Sequence, residues 1–125
     1  MKSRIEVSEM LVNANPTNRQ ISAKISATEI ELAKAYIQGA VHSHCNNNPD
    51  KELSVRILFG GDNRDWGNTP LQCIYEYHKH VKAANDPAGD AAKDVGWLFK
   101  TVLGEDVRTF EYVGKDTGSI YRMRQ

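Results

Sequence analysis

Four histidines and two cysteines are the side chains here with the most capacity for metal or nucleophilic chemistry, and their spacing limits what they can do. The histidines form two His-x-His pairs, His42 with His44 (Cys45 adjacent) and His78 with His80. Residues two apart on a helix point about 200° from each other, so neither pair can close on one metal while helical. Only a site crossing two helices, built from His44, Cys45 and His78, would bring ligands together. The expected arrangement is that His44 and His78 lie on apolar stripes as partly buried, hydrogen-bonded rings, with histidines near helix C-termini complementing the dipole. No metal is expected.

Cys73 and His80 share a helix face, with Glu76 and Tyr77 nearby. Seven residues at helical rise separate them by about 10 Å, too far for a direct hydrogen bond between nucleophile and base. Gly60-Gly61-Asp62-Asn63 shares only its first three residues with the GGDEF signature of cyclic dinucleotide synthases. Asp62 and Asp65 lack the alternate ligands and closing glutamate of an EF-hand loop, so that loop reads as a solvated turn. Neither a P-loop nor a GxGxxG is present. The chain is expected to be non-catalytic and to need no cofactor.

The elements that carry these residues fit one domain spanning 1–125, since 125 residues suffice for a single core and are too few for two ordinary ones. Sixteen basic and sixteen acidic side chains cancel, so no global field draws the chain to nucleic acid or anionic lipid; a local patch must do so. The start lacks the apolar run of a secretory signal, and no stretch approaches a membrane span of about 20 apolar residues. A cytoplasmic location with both thiols reduced is expected, without membrane attachment.

Alternation of Ile5 and Val7, and of Ile21, Ala23 and Ile25, predicts strands over 4–12 and 20–26, joined as a hairpin through NANPTNR. Ser26-Ala27-Thr28-Glu29 is a capping box opening a helix whose buried face holds Ile30, Ala33, Ile37, Ala40, Val41 and His44. Leu53, Val55, Ile57 and Phe59 alternate with polar residues and predict a strand over 53–59, long enough to suggest a substantial sheet. Thr69-Pro70-Leu71-Gln72 starts a second helix, with Leu71, Ile74, Tyr75, His78 and Val81 buried. Asp86-Pro87 starts a third over 87–103, closed by Gly104. A hairpin over 107–124 follows, turning at Gly114 to Gly118. The fold class is α+β: an N-terminal β-hairpin, then α-β-α-α-β-β, with a mixed or antiparallel sheet packed by three helices.

The third helix is the organising element. Ala88, Ala91, Val95, Leu98, Phe99 and Val102 form one apolar stripe, while Lys93, Trp97 and Lys100 lie opposite, beside Gly89 and Gly96. A tryptophan facing away from the core stripe calls for a cover from this chain, a second copy or a ligand. The order helix, strand, helix, helix, hairpin over 27–124 resembles the winged helix family of DNA-binding domains. That resemblance implies that helix 87–103 enters the major groove and that the hairpin forms the wing. The contacts it implies are Lys93, Lys100 and Thr101 on the helix, Lys115 at the wing tip, and Arg108, Arg122 and Arg124 on the DNA backbone. From Lys93 onward six basic residues face five acidic ones, a small excess.

Two readings follow. The first is a small cytoplasmic interaction protein, expected to be homo-oligomeric, meeting its partner through Lys93, Trp97, Lys100 and Trp66, where aromatic anchors sit with lysines as at interface hot spots. The alternative is a winged-helix-like DNA-binding regulator using helix 87–103 and hairpin 107–124.

Overall fold

The computed structural model describes residues 21–60, 66–115 and 118–124. Its elements run α1 (Ala27–Asn47), β1 (Glu52–Leu53), α2 (Val55–Phe59), α3 (Gln72–Glu76) continuing into a π-helical turn (Tyr77–Val81), α4 (Pro87–Glu105), β2 (Thr109–Lys115) and β3 (Ser119–Arg124). The class is α+β, as the patterning predicts. The expected first strand, over 4–12, lies outside the described residues, as does the loop over 61–65. Residues 21–26 of the expected second strand carry no strand pairing.

Helix α1 begins where its capping box places it. Ser26 Oγ accepts from Glu29 N–H at 3.1 Å and Glu29 Oε1 accepts from Ser26 N–H at 2.9 Å, two donors that would otherwise be orphaned at the helix start. The cap is solvent-exposed, so Ser26→Ala is expected to cost about 1 kcal/mol. A urea unfolding curve with a lowered midpoint and unchanged slope would register that loss as one of stability alone. Four turns carry Ala33, Ile37, Val41 and Cys45 into the core, so Cys45 takes the place expected of His44. The His44 ring donates from Nε2 to the carbonyl of Glu52 at 3.0 Å, tying the end of α1 to β1.

The strand expected over 53–59 is corrected to two residues followed by a helix. Ser54 Oγ accepts from Ile57 N–H at 3.0 Å, a cap that closes the backbone into a helical turn, and Gly60 ends it at φ 90°, where glycine is favoured. Period two and the i, i+3, i+4 pattern coincide over so short a run: Val55, Leu58 and Phe59 form the inner side, and Ile57 is turned outward at 52% exposed. A short helix is therefore added to the three expected.

Among the described residues the sheet has three strands, antiparallel in the order β1-β3-β2. Leu53 and Tyr112 both lie opposite Tyr121, and Phe110 lies opposite Met123. The register shifts between Tyr112 and Gly114, a bulge that accommodates Val113 and bends β2 near its end. Phe110 is fully buried, and the Phe99 and Tyr121 rings lie 5.7 Å apart, which seats the hairpin on α4.

Between the short helix and α4, Thr69 organises a turn. Its Oγ1 donates to the Trp66 carbonyl at 2.7 Å and accepts from Leu71 N–H at 3.2 Å, while Gln72 Oε1 accepts from Asn68 N–H. Helical hydrogen bonding begins at Gln72, beyond Pro70. After Glu76 the ladder widens, with Lys82 N–H bonding the Tyr77 carbonyl at 2.9 Å. This wider turn takes Val81 off the expected buried stripe and leaves it 74% exposed, whereas His78 stays fully buried.

Candidate nucleic-acid interface

Helix α4 is positioned by its first turn, its inner face and the hairpin behind it. Asp86 caps it by accepting from Gly89 N–H at 3.1 Å, and Pro87 occupies the first turn, where no N–H is needed. A Cβ at position 89 would meet the Asp86 carboxylate, so glycine there makes room for the cap. The inner face buries Ala91, Val95, Leu98, Phe99, Val102 and Leu103.

Asp94, only 3% exposed, lies within that inner face. Its carboxylate accepts from Ser22 N–H at 2.9 Å, from Ser22 Oγ at 3.0 and 3.1 Å, from Ala23 N–H at 3.0 Å and from His78 Nε2 at 2.7 Å. One side chain thus joins α4, the π-helical turn and the chain entering α1. A buried charge is tolerated because its lone pairs are engaged. Serine, histidine and aspartate meet here, but both other groups bind the aspartate, so this is a clamp and not a relay from base to nucleophile. On a wheel Asp94 falls three residues from Ala91 and four from Leu98, so the legible signal was a carboxylate on an apolar stripe; its donors, 16 and 71–72 residues away, were not legible.

The outward face of α4 holds Lys93, exposed, and Trp97 and Lys100, both partly covered. Lys100 Nζ lies 5.5 Å from the centroid of the Trp97 ring, a cation–π contact that covers part of the indole. Thr101 Oγ1 is turned back to the Trp97 carbonyl at 2.9 Å. At Gly96 a Cβ would meet nothing within 4 Å, so there is open space at that position. Trp66, by contrast, packs against the core from the loop before α3. Its Nε1 and His78 Nδ1 are buried with no partner among the described residues.

On the hairpin side Lys115 ends β2 exposed. Arg122 and Arg124 on β3 both lie near Glu111, at 3.8 and 3.5 Å. Among the described residues Lys93, Lys100 and Lys115 have no carboxylate within 4.0 Å. Arg108 is engaged elsewhere: its Nε and Nη2 donate to Asp106 at 2.8 Å each, and its N–H at 2.7 Å.

Asp106, its side chain 1% exposed, also accepts from Gln38 Nε2 at 2.7 Å, bridging α1 to the link between α4 and β2. Burial pushes this carboxyl up, but the bonds from Arg108 and Gln38 outweigh it and hold it at about 2. A carboxyl lowered on folding stabilises above its unfolded value and loses that contribution as pH falls through the folded one. About 2 kcal/mol should therefore fade between about pH 4 and pH 2. Urea midpoints across that range should show the loss in the wild type, and a smaller slope in Asp106→Asn.

The histidines and cysteines are used apart from one another. His42 lies 3.0 Å from Asn46 Nδ2, and His80 lies 3.1 Å from Glu76 on an exposed face. Burial pushes both thiols up, which disfavours the reactive thiolate. Among the described residues no group of three or more His, Cys, Asp or Glu is arranged to hold a metal, and no helix is long and apolar enough to cross a membrane. The chain matches no family model, no curated protein and no solved structure.

Proposed function

We propose that this chain is a cytoplasmic, non-catalytic DNA-binding module of winged-helix-like design, with α4 as the helix that meets the duplex and the β2–β3 hairpin beside it as the wing. The observation that carries this reading is the reduction of β1 to two residues. With the long strand gone, the chain runs helix, short strand, helices, hairpin, and β3 lies between β1 and β2 so that the hairpin is held against α4. The outward stripe of α4 supports it: Lys93, Gly96, Trp97 and Lys100 carry two cations and no acid, and the Asp86 carboxylate over Gly89 is tied up in the helix cap. Phosphate neutralisation by lysines supplies affinity without a basic protein overall. Lys93, Lys100 and Lys115 are the leading contacts, and Arg122 joins them by exchanging Glu111 for phosphate. Thr101 and Arg108 are poorer candidates because their polar atoms are already engaged.

The test is binding of a fluorescein-labelled DNA duplex by the full chain at rising salt. Affinity that falls with salt in the wild type and is lost in Lys93→Glu/Lys100→Glu supports the reading; no binding at low salt removes it.

A second reading, a homo-oligomeric interaction protein, is favoured by Trp97, a large side chain that its own chain covers only in part. Such a surface buries well against a second copy. Trp66 contributes less to that face, being packed on the core. Sedimentation giving a dimer that Trp97→Ala dissociates would favour this reading; a monomer at all accessible concentrations would remove it.

A further inference from the structure

Resting on the DNA-binding reading above, we infer that this chain engages duplex DNA of any sequence through its phosphates, with α4 acting as a charged spacer in the major groove. Reading base edges requires side chains that present paired donors and acceptors, chiefly arginine, asparagine, glutamine or a carboxylate. The outward stripe of α4 offers only the Asp86 carboxylate over Gly89, and that group is committed to capping the Gly89 N–H. Gly89 and Gly96 offer no functional group, and Gly96 lets the helix backbone come close to a neighbouring surface, whereas the space at Gly89 is taken by the Asp86 cap. The Thr101 hydroxyl, the one neutral hydrogen-bonding group at the edge of the stripe, is spent on the Trp97 carbonyl. Asp90, also at the edge, lies 3.8 Å from Lys82.

Besides the Trp97 indole N–H, a single donor with no acceptor beside it to pair with a base edge, what remains is Lys93 and Lys100, point charges on flexible stems that suit a phosphate better than a fixed base edge. The Trp97 ring lies under the Lys100 ammonium at 5.5 Å and holds that charge toward one side of the helix. Lys115, exposed at the end of β2, is the third cation, on the hairpin. Three phosphates contacted in this way give a salt slope of about −3, so affinity falls roughly 40-fold between 50 and 200 mM salt. A helix fits the major groove of B-form DNA, and the corresponding groove of an A-form RNA duplex is too narrow for it. DNA duplex is therefore the class of partner.

The experiment is selection by the full chain from a pool of DNA duplexes with randomised centres at low salt, followed by sequencing and by a salt titration of the retained pool. A retained pool without an enriched motif, with a slope near −3 and weak competition from an RNA duplex, is the expected result. Enrichment of a motif bound about 100-fold better than the pool overturns sequence tolerance while leaving the DNA-binding reading standing. Equal competition by the RNA duplex overturns the placement of α4 in the groove. Failure to retain the pool at all sinks the DNA-binding reading itself.

Discussion

Asp94→Ala should lower stability by about 3–5 kcal/mol, because several buried donors lose their acceptor at about 1–3 kcal/mol each. The substitution leaves the Ser22 and Ala23 N–H groups and His78 Nε2 without their acceptor, while three packed segments keep those donors near where the carboxylate was. Buried donors without partners cost more than the bond itself is worth. Against a total of roughly 5–15 kcal/mol for a domain of this kind, the loss is severe, and it corresponds to a fall in Tm of roughly 10–20 °C. Asp94→Asn should fall in between, because one amide oxygen can still accept but the amide nitrogen cannot. Calorimetry on the three proteins reads the order directly. Equal melting temperatures for wild type and Asp94→Ala would mean that the clamp contributes nothing and that packing alone positions α4.

The second large effect is on binding. Lys93 and Lys100 have no carboxylate within 4.0 Å among the described residues. On the proposed reading, reversing both would remove two phosphate contacts and place two anions against the duplex. Affinity at 50 mM salt should fall at least about 100-fold, and the salt slope should collapse, since counterion release scales with the number of phosphates neutralised. Stability should hardly change, as surface substitutions of this kind usually stay within about 0.5 kcal/mol. An urea midpoint for Lys93→Glu/Lys100→Glu matching the wild type therefore separates lost contact from lost fold. Unchanged duplex affinity in the folded double variant would place the contact elsewhere.

Local signals carried most of the architecture. Ser26 with Glu29, and Asp86 with Pro87, start helices where their chemistry says they should, because a cap is a contact among neighbours in sequence. The apolar stripe of α4 was legible for the same reason. Leu53 to Phe59 was not, because alternation over seven residues serves a strand and a single helical turn about equally well, and Ser54 decides between them. Val81 left its stripe because a π-helical turn has no simple sequence signature. On α4, Lys93, Trp97 and Lys100 share a face as the wheel predicts, but the commitment of Arg108 to Asp106 follows from burial and from Gln38, which lies 68 residues away from the carboxylate it binds. Distant partners of this kind, like the donors to Asp94, emerge only once the segments are packed.

The central claim is that the outward face of α4, together with the hairpin, is the surface that meets DNA. Titrating a DNA duplex into the full, isotope-labelled chain and following backbone amide shifts by NMR tests it residue by residue. Shifts should concentrate at Lys93, Gly96, Trp97, Lys100 and Lys115 and fade as salt is raised. Shifts clustered instead on exposed α1 and α2 positions such as Leu32, Tyr36 and Ile57, with α4 silent, would contradict it.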